Sequence, residues 1–128
     1  MDGIRGLTGW VGTVLSARDP GALARFYSEL LGWEVARESA DWVTIRMPGT
    51  THYLAFAIDD HHEAPAWPSR PGEPTMQLHL DLGVTDVDAA VEDAIALGAT
   101  VASYQPQEDV RVMLDPAGHP FCLYADEP

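Results

Sequence analysis

The chain has 128 residues, of which 46% are hydrophobic and 21% are charged, a size and composition typical of one folded domain with its own core. Twenty acidic residues, seven arginines and no lysine give a formal net charge of −13. Because nucleic acids and anionic membrane surfaces are polyanions, this charge argues against both as partners and is compatible with a cationic ligand.

Cys122 is the only cysteine, so an internal disulfide is excluded and a reducing compartment is expected. The first ten residues, MDGIRGLTGW, lack the basic patch and apolar run of a secretory signal. No apolar stretch approaches the roughly 20 residues that span a bilayer. We therefore expect a soluble cytoplasmic protein with no membrane partner.

The first half predicts a strand, a helix and three further strands. An alternating segment from about Val11 leads to Asp19, which can cap a helix, and Pro20 occupies its first position, where a missing N–H costs nothing. Apolar residues recur at helical spacing as far as Gly32, which tolerates the left-handed conformation of a helix end. The strands predicted next are Trp33–Glu38, Trp42–Met47 and Tyr53–Asp59.

The second half predicts the same order. Residues 60–75 contain four prolines and are predicted to be a linker. A strand over Met76–Leu82 follows, and then a helix that Asp86 caps and Gly98 ends. The last predicted strands are Thr100–Tyr104, Arg111–Asp115 and Phe121–Ala125.

Corresponding residues of the two halves are separated by 66 to 68 positions: Asp19 and Asp86, Gly32 and Gly98, Pro48 and Pro116. Three pairs at a nearly constant offset indicate a duplication. The predicted fold class is α+β, with two βαβββ modules forming a cupped, mostly antiparallel sheet and helices on the outer face. Within a single domain of residues 1–128, module one spans about 10–59 and module two about 76–126.

The strand MQLHLDL alternates, so its apolar residues, including Leu78, face the helices and its polar residues line the cup. The offset places Gly12 at the position of His79, and Ala55 at about that of Cys122. A mixture of aromatic and polar groups then lines the cup, as a small-molecule pocket requires. The expected ligand-binding residues are Gln77, His79, Asp81, Trp42, Tyr53, Cys122 and Tyr124.

From about Val11 to Tyr124 the chain resembles the glyoxalase/bleomycin resistance/dioxygenase (vicinal oxygen chelate) superfamily, and its glyoxalase-like subgroup in particular. The segments that carry the resemblance are FYSELLGW, the LAF strand, the AWP stretch of the linker, HLDLGVTDVDAAV, ALGA and DPAGHPFCLY. The resemblance implies the cupped fold and a homodimer. It indicates the reaction much less well, because one fold supports many chemistries.

In metal-using members of this superfamily, a His seven residues before each helix-opening Asp and a Glu in each last strand chelate a divalent ion. Only His79 matches, since the other positions hold Gly12, Cys122 and about Ala55. A catalytic ion normally needs about three protein ligands. His79 and Cys122 could both bind a soft ion such as zinc with Asp81 as a third ligand, but Asp81 lies roughly 6–7 Å from His79 along the backbone. No cofactor or metal-dependent activity is therefore expected, and His79 and Cys122 are the weak candidates for metal ligands.

These residues predict binding of a small, partly aromatic or amphipathic organic molecule without the usual divalent metal. Resistance-type sequestration is one form of this function. The alternative is a lyase, isomerase or dioxygenase that uses a metal or an acid/base site, with His79 as the candidate catalytic residue. A third possibility is a subunit whose pocket is vestigial and whose interface matters.

The remaining histidines and Trp67 are predicted to have other roles. His61 and His62 belong to an acidic segment, where a solvated loop is the better interpretation. His119 lies in a Gly-His-Pro turn, which favours a structural role. Trp67 of the linker either covers the core or closes the pocket.

Overall fold

The structure, a computed structural model, describes residues 3–126. The α+β class and the two βαβββ modules are confirmed, and hydrogen bonding gives each module its own four-stranded sheet. The chain divides into two compact units, of which the first ends at Asp60 and the second begins at His61. No helix among the described residues is long and apolar enough to cross a membrane.

Module one contains β1 (Val11–Ala17), α1 (Pro20–Leu31), β2 (Glu34–Glu38), β3 (Trp42–Arg46) and β4 (His52–Ile58). The sheet order is β1-β4-β3-β2, in which β1 and β4 are parallel and the other pairs antiparallel. One face of the sheet packs on α1 through a core that includes Tyr27, Ile45 and Phe56, each at most 1% exposed. The Tyr27 and Phe56 rings stack with centroids 5.7 Å apart.

Module two repeats this plan with β5 (Leu80–Val84), α2 (Val87–Leu97), β6 (Thr100–Val101), β7 (Val110–Leu114) and β8 (Pro120–Ala125). The sheet order is β5-β8-β7-β6, again with a parallel first-to-last pair. Phe121 and Leu123 of β8 are buried on the face that packs on α2, together with Met113 of β7.

Register between first and last strands is the same in both modules. Val14 pairs with Ala55 in module one, and Asp81 pairs with Cys122 in module two. Each of these four residues has its counterpart 67 positions away, so the offset between the two halves holds in the structure. Of the residues that the alternation assigned to the cup, Trp42, Asp81 and Cys122 lie on the face of their sheet opposite the helix, whereas Gln77 and His79 precede β5.

Two expectations for the strands are wrong in detail. The strand predicted from Met76 begins only at Leu80, and Leu78 is 58% exposed instead of packed on a helix. The strand predicted over Thr100–Tyr104 ends at Val101. Both differences arise where a segment has no pairing partner along its full length, so an alternating pattern alone does not make it a strand.

Both helices begin and end as their residues predict. The carboxylate of Asp19 accepts a hydrogen bond from the Ala22 amide at 3.0 Å, and that of Asp86 accepts from the Ala89 amide at 3.1 Å. Each satisfies one of the amides that a helix start leaves without a partner. Gly32 and Gly98 end the helices with φ of 70° and 118°, which only glycine adopts without strain.

We predict that Asp19→Ala and Asp86→Ala each lower the free energy of unfolding by about 1 kcal/mol, because each removes a capping acceptor. Urea denaturation followed by circular dichroism measures the loss. Asp93→Ala, an exposed position within α2, is the control and should have a much smaller effect. Equal losses in the Asp86 and Asp93 variants would contradict the capping role.

Candidate functional site

Each sheet forms a cleft on the face opposite its helix. The cleft of module one has a volume of about 450 Å³. Its lining is aromatic and cationic: Trp10, Ala36, Arg37, Trp42, Thr44, Arg46 and Tyr53. None of these side chains is acidic, although the chain as a whole carries a net charge of −13. The local environment of this cleft is therefore opposite in sign to the rest of the protein.

Strand geometry explains how the two arginines reach this cleft. In β3, Val43 and Ile45 are buried towards α1, so the alternation places Arg46 on the other face. In β2 the register shifts between Val35 and Arg37, and after the shift Arg37 pairs with Thr44. An extra residue in one strand reverses the side chains that follow, and the shift therefore brings Arg37 to the cleft.

Contacts within the cleft hold the Arg46 side chain in place. Its Nε donates to the Thr50 carbonyl at 3.1 Å, and its Cζ lies 4.9 Å from the centroid of the Trp10 ring. That distance is within the range of a cation–π interaction. The Trp10 ring in turn lies 6.5 Å from the Tyr53 ring. Three aromatic rings and a positioned guanidinium therefore face one small volume, since Trp42 also lines it.

Tyr53 also occupies the space beside Gly12, its partner in the β1–β4 register. A Cβ placed on Gly12 would overlap the Tyr53 ring. Gly12 is the counterpart of His79, so module one has a tyrosine ring where module two has room for an imidazole. A side chain at position 12 and the present position of Tyr53 exclude each other.

The cleft of module two has a volume of about 370 Å³ and contains four of the predicted site residues: His79, Asp81, Cys122 and Tyr124. Nε2 of His79 lies 2.9 Å from Oδ1 of Asp81. One potential donor atom from each of His79, Asp81 and Cys122 lies within 4.8 Å of the others. The backbone separation expected of His79 and Asp81 is therefore overcome by their side chains, which lean towards each other.

The pKa of the Cys122 thiol is raised above its ordinary value of 9.0. Burial is the largest cause, because it disfavours the charged thiolate. The negative charge of Asp81 and a hydrogen bond from the thiol to its carboxylate raise the pKa further. Cys122 is thus a protonated thiol near neutral pH, unlike the activated cysteines that act as nucleophiles.

The remaining predicted residues fall in different places. Trp42 and Tyr53 line the cleft of module one, whereas Gln77 is exposed before β5 and lines neither of these clefts. Two residues that were not predicted, Gln107 and Asp109, line the cleft of module two from the segment before β7. That segment has no periodic pattern, so the sequence does not indicate which of its residues line a cleft.

Of the two linker histidines, His61 is exposed, whereas His62 is not simply solvated. Nε2 of His62 lies 2.9 Å from the Ala117 carbonyl, and its ring lies 4.8 Å from that of His119. Both therefore belong to the packing around the 115–118 turn. In the same segment Trp67 donates its Nε1–H to the Tyr104 carbonyl at 3.0 Å.

A family model described as a glyoxalase-like domain matches residues 12–124 of the chain. The chain belongs to the glyoxalase-like domain family. The match covers both modules, in agreement with the vicinal oxygen chelate superfamily expected from the sequence. No curated protein matches the chain significantly.

Several solved structures share the fold of this chain. A glyoxalase/bleomycin resistance protein/dioxygenase family enzyme from Burkholderia phytofirmans is 19% identical, with a TM-score of 0.65 over 89% of this chain and 95% of that one. A hypothetical protein from S. aureus is 22% identical, with a TM-score of 0.65 over 95% and 97%. A bleomycin-binding protein from Streptomyces verticillus, in complex with copper(II)-bleomycin, is 21% identical, with a TM-score of 0.58 over 97% and 99%. At these identities the similarity concerns the fold.

The residues present do not fit the four-ligand metal site of the metal-using members. The position of the first His is Gly12, next to which the Tyr53 ring fills the space. The first Glu position is Ala55, which is fully buried, and the second is Cys122. Of the four ligand positions only His79 retains the expected residue. This chain therefore lacks the four ligands that chelate the ion in metal-using members of the family.

The raised pKa of the Cys122 thiol predicts slow alkylation. At pH 8, iodoacetamide should alkylate Cys122 more slowly in folded, chelator-treated protein than in the urea-unfolded chain. Fewer thiols are ionised at a given pH when the pKa is higher, and only the thiolate reacts. Asp81→Asn removes the negative charge and should accelerate the reaction of the folded protein. Mass spectrometry over time measures both rates.

Asp109→Asn is the control for this prediction, because Asp109 lines the same cleft but does not contribute to the shifted pKa of the thiol. It should leave the alkylation rate nearly unchanged. A folded Asp81→Asn variant that reacts no faster than the unmodified chain would show that Asp81 does not raise the pKa.

Proposed function

We propose that the protein binds a small aromatic organic molecule in the cleft of module one, without the divalent ion of the metal-using family members. The observation that carries this proposal is the lining of that cleft. Trp10, Trp42 and Tyr53 supply aromatic surface beside two guanidinium groups. Its volume of about 450 Å³ falls within the usual range for small-molecule sites, roughly 300–1,000 Å³.

The arginines favour a ligand with an anionic group. The Arg46 guanidinium is already held against Trp10, so little side-chain entropy is lost when a ligand contacts it. Arg37 lines the same cleft and offers the planar donor pattern that pairs with a carboxylate. The cationic ligand that the net charge allowed is less well suited to this cleft, where the charged lining residues are both basic.

Sequestration is the form of function that requires least of the site. It needs aromatic stacking and a positioned charge, whereas a reaction would need a group with a tuned pKa at the substrate. A bleomycin-binding protein is among the similar structures, which supports the use of this fold for binding alone. Homodimer formation, which the superfamily resemblance implied, is compatible with this function and is not needed for it.

The test compares 2-naphthoate, 2-naphthol and 2-naphthylmethylamine, which share a ring system and differ in charge. Isothermal titration calorimetry, supported by tryptophan fluorescence, should give the highest affinity for the carboxylate. Trp42→Ala should raise the Kd of the carboxylate roughly fivefold, because losing one aromatic contact costs on the order of 1 kcal/mol. Arg37→Gln should reduce the preference for the carboxylate over the alcohol, because only one of the two cleft arginines then remains.

Two control variants make this experiment specific. Tyr104→Ala removes an aromatic side chain that is 48% exposed and lies outside the cleft, and Arg5→Gln removes an exposed arginine of the N-terminal segment. Neither should change the Kd. Binding of none of the three compounds would contradict an aromatic site, whereas tightest binding of the amine would contradict the role of the arginines.

A further inference from the structure

The second cleft contains a group of side chains that the proposed function does not use. His79, Asp81 and Cys122 come from two adjacent strands of module two and the residue just before one of them. Asp81 of β5 and Cys122 of β8 are partners in the parallel register, so their side chains leave the sheet on the same face. His79 precedes Asp81 by two residues, and its imidazole returns to contact that carboxylate at 2.9 Å. Strand pairing and side-chain reach together concentrate one nitrogen, one oxygen and one sulfur donor.

The separation of these donors is close to what a small ion requires, although it does not yet equal it. Zinc binds nitrogen, oxygen and sulfur at roughly 2.0–2.3 Å, so neighbouring donors of a tetrahedral site lie roughly 3.3–3.8 Å apart. The three donor atoms here lie within 4.8 Å of one another. Small side-chain rotations, with the His79–Asp81 pair opening slightly, would bring all three to an ion. The backbone of the two strands would not have to move.

The identity of the donors selects the kind of ion. A thiol and an imidazole are ligands for zinc and similar borderline metals, whereas magnesium and calcium prefer oxygen alone. We propose that His79, Asp81 and Cys122 form a three-ligand zinc site within module two. Its fourth position faces the cleft that Tyr124, Gln107 and Asp109 also line, where water or a donor atom of a small molecule completes the coordination.

This site differs from the superfamily's four-ligand arrangement in composition and extent. It includes no glutamate, it uses Asp81, which is not one of the four expected positions, and it lies within one module. The competing interpretation is a plain hydrogen bond between His79 and Asp81, which are 36% and 60% exposed, beside an inert thiol. The two interpretations differ in whether Cys122 and His79 coordinate the same ion.

Metal binding by purified protein tests the site directly. Tag-free protein, stripped with a chelator and dialysed, is titrated with Zn²⁺ in competition with a chromophoric chelator. We expect one Zn²⁺ per chain, and no competition from Mg²⁺ or Ca²⁺ in excess. Replacement by Co²⁺ should give the near-ultraviolet charge-transfer band of a thiolate ligand, because Cys122 is the only cysteine.

Substitution of the ligands should weaken zinc binding at least tenfold in each of His79→Gln, Asp81→Asn and Cys122→Ser. Cys122→Ser should also remove the cobalt charge-transfer band. The controls are Asp93→Asn, an exposed acidic residue of α2, and His52→Gln, an exposed histidine of β4, and both should bind zinc as the unmodified chain does. Circular dichroism and thermal melting establish that each variant is folded before its affinity is compared.

Three results would overturn the proposal: binding without the charge-transfer band, equal losses in ligand and control variants, or no zinc bound at micromolar concentration by folded protein. The first two would identify adventitious surface binding, and the third would leave the His79–Asp81 pair as a hydrogen bond. The outcome is independent of the aromatic site, since naphthoate binding is measured on the zinc-free protein.

Discussion

The parallel pairing of the first and last strand in each module determines which side chains can meet. Both pairs use the same register, Val14 with Ala55 and Asp81 with Cys122. Buried residues on the helix side, such as Phe56 and Phe121, fix that register, because a slip by one residue would turn them towards solvent. The residues on the opposite face therefore occupy fixed positions without having to stabilise the fold. That freedom allows the two halves of a duplicated chain to acquire different chemistry on the same framework.

Equivalent positions of the two modules have diverged in kind. At one position module one has Val14 beside Ala55, and module two has Asp81 beside Cys122. Two residues earlier, module one has Gly12 under an aromatic ring and module two has an imidazole. At these two positions the residues of module one can only pack, whereas those of module two can donate or accept hydrogen bonds and can coordinate a metal. One module thus presents aromatic and apolar surface at these positions, and the other presents donor and acceptor atoms.

The sequence predicted the framework well because the framework depends on periodicity. Capping by Asp19 and Asp86 and the glycine helix ends have local causes, and the 67-residue offset carried the face assignments from one module to the other. What the sequence did not predict depends on side-chain reach or on irregular backbone. The sequence offered Asp81 as one possible partner of His79 but could not decide between the alternatives, since two residues of one strand stand roughly 6–7 Å apart at the backbone. Arg37 reaches its cleft through a register shift, which alternation alone assigns to the wrong face.

Electrostatics argues for separate roles of the two clefts. A net charge of −13 lowers the local concentration of anions around the protein and raises that of cations. Binding an anionic aromatic molecule in module one must overcome this field, which requires positive charge close to the ligand, and two of the seven arginines stand there. In module two the same field assists a cation, and Asp81 and Asp109 extend it into the cleft. A chain without the two cleft arginines would have only stacking to hold an anion against that field. For the ligand proposed for module one, selectivity should therefore depend on these arginines more than on the aromatic rings.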